Sequence, residues 1–163
     1  TKRPLRGYLA AATRDGGLAD DLTQEAFLRL YPAKTLFAND EHRRRYLFRI
    51  ASNLLTDHWR SNRHAALPLC ESAIEAAAQA AFRARAPDLD ARRDLARALG
   101  DLPPRERQLV WLAHVEHLPH REIAAIVGVG QASVRVLLFR ARRRLAEALR
   151  GPAPESAPEG VAE

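Results

Sequence analysis

Methionine is absent from the 163 residues, cysteine occurs once, and lysine occurs only at Lys2 and Lys34. A single cysteine, Cys70, excludes an intrachain disulfide and fits a reducing compartment, so a cytoplasmic location is expected. Without a methionine, Thr1 is expected to be a processed or cut start. No apolar run approaches the roughly 18 residues of a membrane span, and no leader peptide is recognisable. Alternating Val/Ile/Thr runs, the pattern of a half-buried strand, are also missing, while Ala, Leu, Arg and Glu abound, which predicts an all-α fold. Neither G-x-x-x-x-G-K-[ST] nor G-x-G-x-x-G occurs, and no nucleophile-with-base motif is visible. No catalytic residue, cofactor, metal ion or small-molecule substrate is therefore expected.

Arginine is what the chain has instead. A net charge of +6 and a pI near 10.4 suit a polyanionic partner without identifying one. Planar guanidinium groups fit phosphates and base edges, although a GC-rich genome also favours arginine.

The stretch 119–150, PHREIAAIVGVGQASVRVLLFRARRRLAEALR, reads as two helices joined by a tight turn. Pro119 suits a first turn, where its missing N–H removes no bond. Ile123, Ala124, Ile126 and Val127 give an apolar face, and Gly128 ends the first helix. Val134, Leu138, Ala141, Leu145 and Leu149 then recur at helical spacing. A small residue at the crossing (Ala124), a glycine in the turn (Gly128) and an aliphatic plug (Val134) are what a helix-turn-helix requires. An ordinary αα-hairpin fits the spacing too; the cluster Arg135, Arg140, Arg142, Arg143 and Arg144 favours the DNA-binding version.

Upstream, residues 5–14 suggest a helix stopped near Gly16–Gly17, and Asp20 or Asp21 offers the cap of a second, 21–31, closed by Pro32. After a loop at 33–41, Asn39–Asp40 opens a long helix, 40–62. Its inner face is Leu47, Ile50, Ala51, Leu54 and His58; its outer face carries Arg43, Arg44, Arg45, Arg49, Arg60 and Arg63, interleaved with Tyr46, Phe48 and Trp59. Those rings belong either in the core or on a surface where unpaired bases stack between guanidinium groups. Composition leaves both readings open. Residues 65–87, alanine-rich and bracketed by Pro68 and Pro87, read as a linker with a suggested helix at 72–85. Asp88 or Asp90 caps a helix to Leu99, Gly100 and Pro103–Pro104 break the chain, and a helix at 104–116 follows with Leu109, Val110, Leu112 and Ala113 inside. The tail 151–163, rich in Pro, Gly and Glu, is expected to be disordered.

Both halves together resemble the extracytoplasmic-function (ECF) sigma factors of the sigma-70 family, over roughly residues 5–64 and 88–150. ADDLTQEAFLRLY (19–31) is similar to the family's D-L-x-Q-E-x-F-L-R segment, and RYLFRIASNLLTDHWR (45–60) to its W-L-x-R-I-A-x-N-x-x-x-D-x-x-R segment. Residues 102–145 resemble its L-P-x-x-x-R … E-I-A-x-x-L-G-V-x-x-x-[ST]-V-K-x-R-L-x-R-A-R pattern. The resemblance implies two small helical domains. One, 1–64, would be region-2-like and bind core polymerase and the −10 element. The other, 88–150, would be a region-4-like helix-turn-helix for the −35 element, beyond a linker at 65–87.

It implies polymerase contact by Asp21, Gln24, Glu25, Phe27 and Arg29. Arg45, Tyr46, Arg49, Asn53, Asp57 and Arg60 would meet the unwound −10 strand. Gln131, Ala132, Ser133, Arg135, Val136, Phe139, Arg140, Arg142 and Arg143 would meet the −35 duplex. Implied partners are bacterial core RNA polymerase, promoter DNA (duplex at −35, single-stranded at −10) and an anti-sigma factor.

The chain departs from the family pattern at four places. Val136–Leu137 replaces serine-arginine, His117 a glycine, Pro119 a capping serine and Tyr46 a tryptophan. The start also looks some 20 family residues short.

Two side signals are weaker. His114, His117 and His120 stand three apart, but Pro119 interrupts the helix and no cysteine accompanies them, so surface histidines are expected. Cys70 has no basic neighbour and is expected to be inert. The alternative to a sigma factor is a stand-alone helix-turn-helix regulator with an N-terminal sensor or dimerisation domain. The arginine-and-aromatic helix at 40–62 speaks against it, since a sensor does not need one.

Overall fold

The computed structural model describes residues 2–62 and 89–150, and every regular element among them is helical. Helix α1 (Lys2–Thr13) buries Leu5, Tyr8, Leu9 and Ala12, one face at helical spacing. Arg14 ends it with a left-handed backbone, φ 61°, where a glycine was expected. Asp15 then accepts a hydrogen bond from the Leu18 amide at 3.0 Å and caps α2 (Gly16–Leu30). This corrects the expected start at 21: Gly16 and Gly17 lie in the first turn, and Asp20 pairs with Arg6 of α1 at 2.5 and 3.0 Å. Pro32 closes the α-helix as expected, but the chain continues as a 3₁₀ helix (Tyr31–Leu36), which shortens the expected loop. Asn39 caps α3 (Asp40–Ser61) by accepting from the His42 amide at 2.8 Å.

In the second half, α4 (Leu89–Asp101) runs through Gly100, the expected breaker. Gly100 is buried, and its carbonyl accepts from Arg14 Nη1 at 2.8 Å, so local packing offsets its low helix propensity. α5 (Pro104–His114) buries Leu109, Val110 and Leu112, and α6 spans His120–Val127. Pro119 stands just before α6, extended at ψ 152°, and its carbonyl accepts from the Glu122 and Ile123 amides at 2.9 and 3.1 Å. It occupies the capping position rather than the first turn. Gly128, φ 71°, terminates α6, with its amide and that of Val129 donating to Ala124 O at 2.9 and 3.1 Å. α7 (Gln131–Arg150) buries Val134, Leu138 and Ala141, whereas Leu149, expected inside, is exposed because α7 outruns the domain beneath it. The linker at 65–87 with Cys70, its suggested helix at 72–85, Arg63 and the tail all lie outside the described residues.

The two halves do not merely adjoin. α1 packs on α5 and α3 on α6, and one continuous apolar core runs from Leu5 to Ala141. Trp111 of α5 lies so close to Gly7 of α1 that a Cβ there would sit 2.9 Å from Cζ2, so glycine is what admits the indole. Between the halves, the fully buried Gln108 of α5 donates from Nε2 to Tyr8 Oη and, at 2.9 Å, to Ser52 Oγ of α3. Burial pushes the Tyr8 phenol above its ordinary range, so it stays neutral and available as an acceptor.

Candidate nucleic-acid interface

The axes of α6 and α7 cross at 100°, inside the ~90–120° of a helix-turn-helix. Ala124 and Val134 occupy the crossing, both buried, and Val134, Leu138 and Ala141 fix the rotation of α7 about its own axis. That rotation turns Gln131, Ala132, Ser133, Arg135, Val136, Phe139, Arg140, Arg142 and Arg143 to the exterior together. Phe139 is 66% and Val136 49% exposed, an apolar strip along an otherwise basic helix. The arginines differ in what holds them. Arg142 Nε lies 3.4 Å from His114 Nε2, and Arg143 Nε lies 3.3 Å from Glu147. Arg144 reaches the buried Glu106 at 3.5 Å. Arg135 and Arg140 make no ion pair among the described residues. His114 faces Arg142; burial, then the charges of Arg142 and His117, holds its pKa below the ordinary imidazole value. Among the described residues no group of three His, Cys, Asp or Glu is arranged to hold a metal ion.

On α3, Tyr46, Arg49, Asn53, Asp57 and Arg60 recur at intervals of three and four and are all exposed, forming one stripe. Of the aromatics, Phe48 is buried and packs edge-on against Tyr8 (centroids 5.3 Å), so for this ring the core reading is correct. Trp59 is half-buried against the same core. Tyr46 alone is exposed, leaning on Phe37 at 5.1 Å. Arg45 stands apart from the stripe: Glu41 holds it at 2.5 Å and Glu122 of α6 lies 2.8 Å from its Nε. Its neighbour Arg44 pairs with Glu116, in the α5–α6 loop, whose side chain is only 3% exposed. These five residues, with Phe48, help to line a cleft of about 160 Å³ between the halves.

On α2, Asp21, Gln24 and Arg29 are exposed, and Glu25 pairs with Arg29 at 2.7 Å. Phe27 turns inward and packs on the core. Leu28 (60% exposed) and Tyr31 (68%) join Asp21 and Gln24 on the outer face. Sequence reading missed both, although their offsets of seven and ten from Asp21 put them on one helical stripe. It also missed Glu116 and Glu122, for which no local signal exists.

A helical protein with a basic helix-turn-helix and a second exposed helix mixing arginine, amide and aromatic groups is a nucleic-acid-binding protein. The comparisons narrow the class. The family model described as Sigma-70 region 2 matches residues 1–65, and that described as Sigma-70, region 4, matches residues 92–145. The RNA polymerase sigma factor CarQ of Myxococcus xanthus is 32% identical, over 89% of this chain and 82% of its own length. The ECF RNA polymerase sigma factor SigM of Bacillus subtilis is 28% identical over 85% and 83%. The RNA polymerase sigma-E factor of Streptomyces coelicolor is 33% identical over 80% and 71%. Among solved structures, the sigma factor RpoE of Bartonella quintana, in complex with the anti-sigma factor NepR, shares the fold: TM-score 0.67, 22% identity, 91% of each chain covered. The chain belongs to the sigma-70 family of RNA polymerase sigma factors, and core polymerase and promoter DNA are its partners.

Proposed function

We propose that the two exposed faces divide promoter reading between them. The first half, through the α2 face (Asp21, Gln24, Glu25, Arg29, with Leu28 and Tyr31), docks on core polymerase. The α3 stripe, Tyr46 to Arg60, takes the unwound −10 strand, where a ring and guanidinium groups suit unstacked bases. The second half inserts α7 in the major groove of the −35 element. There Arg135 reads a guanine edge, Val136 and Phe139 meet thymine methyls, and Arg140, Arg142 and Arg143 contact phosphates. The observation that carries this reading is the 100° crossing, which places α7 with its basic and apolar residues outward together. The protein binds and positions rather than catalyses, and works in the cytoplasm with polymerase; no single described helix is long and apolar enough to cross a membrane. An anti-sigma factor is a further partner in this reading, as one is for the Bartonella protein.

Reading both elements at once requires the halves to part. The −10 and −35 elements lie about 25 base pairs apart, on the order of 80 Å of duplex at ~3.4 Å per pair. A packed body of roughly 120 residues has a radius of gyration of only ~14 Å. The chain between the halves, residues 63–88, has a contour length of up to about 90 Å, enough to span that distance. The test is promoter-specific initiation by purified core polymerase with this chain added. Failure of the chain to bind core polymerase refutes the proposal.

A further inference from the structure

We propose that Gln131 reads an adenine of the −35 element. That adenine lies one or two base pairs from the guanine of Arg135, on the side away from the thymine that meets Phe139. The inference rests on the sigma-factor reading of α7 and deepens it.

The first support is chemical. Between residues 131 and 150, Gln131 is the only amide side chain. The arginines of α7 donate only, which suits guanine, whose N7 and O6 both accept. Adenine instead presents an acceptor, N7, beside a donor, the N6 amino group. A side chain that reads both must donate and accept side by side, as an amide does with Nε2 toward N7 and Oε1 toward N6. The single hydroxyl of Ser133 bonds to any base and discriminates little.

The second support is position. Gln131 opens α7, and the start of the second helix is the part of a helix-turn-helix that reaches base edges. It is exposed, and its side chain makes no hydrogen bond among the described residues, so DNA displaces no internal partner. Val134, fully buried three residues on, fixes the rotation of this turn. Arg135 stands one turn further along, about 6 Å at ~1.5 Å per residue. Base pairs are stacked ~3.4 Å apart, so the two side chains address pairs one or two steps apart. Phe139 follows after another turn, which sets the order A, G, T along the groove.

The third support is Gly130. Its carbonyl accepts from the Val134 amide at 3.1 Å, so it holds the capping position of α7 with no side chain to cap it. The fold does not demand a glycine there. Its φ lies outside the left-handed range, and a Cβ would meet only Ser133 Oγ, at 3.8 Å. The missing side chain leaves the first turn bare, so that its amides take a backbone phosphate and Gln131 approaches the bases closely.

The test is selection of promoters from a library randomised across the −35 element, using core polymerase loaded with the full chain. The wild type should enrich an adenine at the stated distance from a guanine. Gln131→Ala should leave that one position degenerate, and Gln131→Glu should move its preference from adenine to cytosine, whose N4 amino group a carboxylate accepts. Selection reads preference, so a general loss of affinity from the added charge does not mask the switch. On the enriched promoter, 7-deazaadenine at that position removes N7 alone. It should weaken wild-type binding by roughly 5- to 150-fold and add nothing to the loss in Gln131→Ala. Melting temperatures of the exposed-site variants should match the wild type. A consensus without that adenine, a Gln131→Glu variant that still prefers adenine, or a Gln131→Ala loss spread evenly over all positions would each overturn base reading by Gln131 while leaving the sigma reading in place. A wild-type chain that fails to bind core polymerase overturns the sigma reading, and this inference with it.

Discussion

Arg135→Ala isolates base reading from phosphate binding on α7. Arg135 begins the second turn of the helix, next to the buried Val134, so its outward direction is set by core packing rather than by solvent. Its guanidinium makes no ion pair among the described residues, so no internal bond is broken when DNA arrives. The full contact should therefore appear in the measurement: about 1–3 kcal/mol for a bidentate arginine–guanine pair, or roughly 5- to 150-fold in binding. Arg143 makes the contrast. It shares an exposed pair with Glu147, and such pairs are worth ~0.3–0.5 kcal/mol, so Arg143→Ala loses a phosphate contact partly offset by freeing that glutamate. Neither change should unfold the domain, since exposed substitutions stay within about 0.5 kcal/mol. The assay is initiation by core polymerase with each variant on a panel of promoters altered one base pair at a time across the −35 element. Arg135→Ala should flatten discrimination at one position. Arg143→Ala should weaken every promoter alike and reduce the salt slope by about one. A uniform loss with Arg135→Ala would refute base reading by this residue and assign it to the backbone.

Other consequences are structural. His117 adopts φ 53° at a place where the family has glycine; His117→Gly should stabilise by about 0.5–1 kcal/mol, the left-handed penalty less the glycine entropy, seen as a raised urea midpoint with unchanged slope. Gly128→Ala is the mirror experiment: a Cβ there meets nothing within 4 Å, so the loss should be only the conformational ~1 kcal/mol, and a much larger one would reveal packing not apparent here. Tyr8→Phe leaves one Gln108 N–H without its acceptor and should cost about 1 kcal/mol, measured by denaturation, whereas Tyr8→Phe with Gln108→Leu should recover much of it. His114 has a folded pKa below its unfolded value, so its contribution is complete above about pH 6.5 and is lost as pH falls through the folded pKa. Thermal melts between pH 7.5 and 5 should show this decline, and His114→Gln should reduce it.

What was legible in the sequence was local. Gly128 and the run Val134, Leu138, Ala141 announced the helix-turn-helix because turn and period are properties of neighbouring residues, and the structure has them where the spacing put them. Asn39 announced α3 for the same reason. Local reading failed where a stronger local competitor lay close by: Asp15 outcompeted Asp20 as cap once Arg6 took Asp20, and Arg14 turned the chain without a glycine. It left Phe48 undecided between core and surface, since arginines on both sides hide the fact that its ring lies on the face toward Tyr8.

The pairing of Arg44 with Glu116 lay beyond it altogether. The two residues stand 72 positions apart, on either side of the join between the halves. Nothing in the composition of 40–62 distinguishes Arg44 and Arg45 from Arg43 or Arg49; only the placement of α6 against α3 does so. Motif likeness therefore pointed to where DNA would bind from each half taken separately. Which arginines are free to bind it is a property of the two halves together. Of the −10 residues the sequence put forward, Arg49 and Arg60 remain on the open stripe, while Arg45 is spoken for by Glu41 and Glu122.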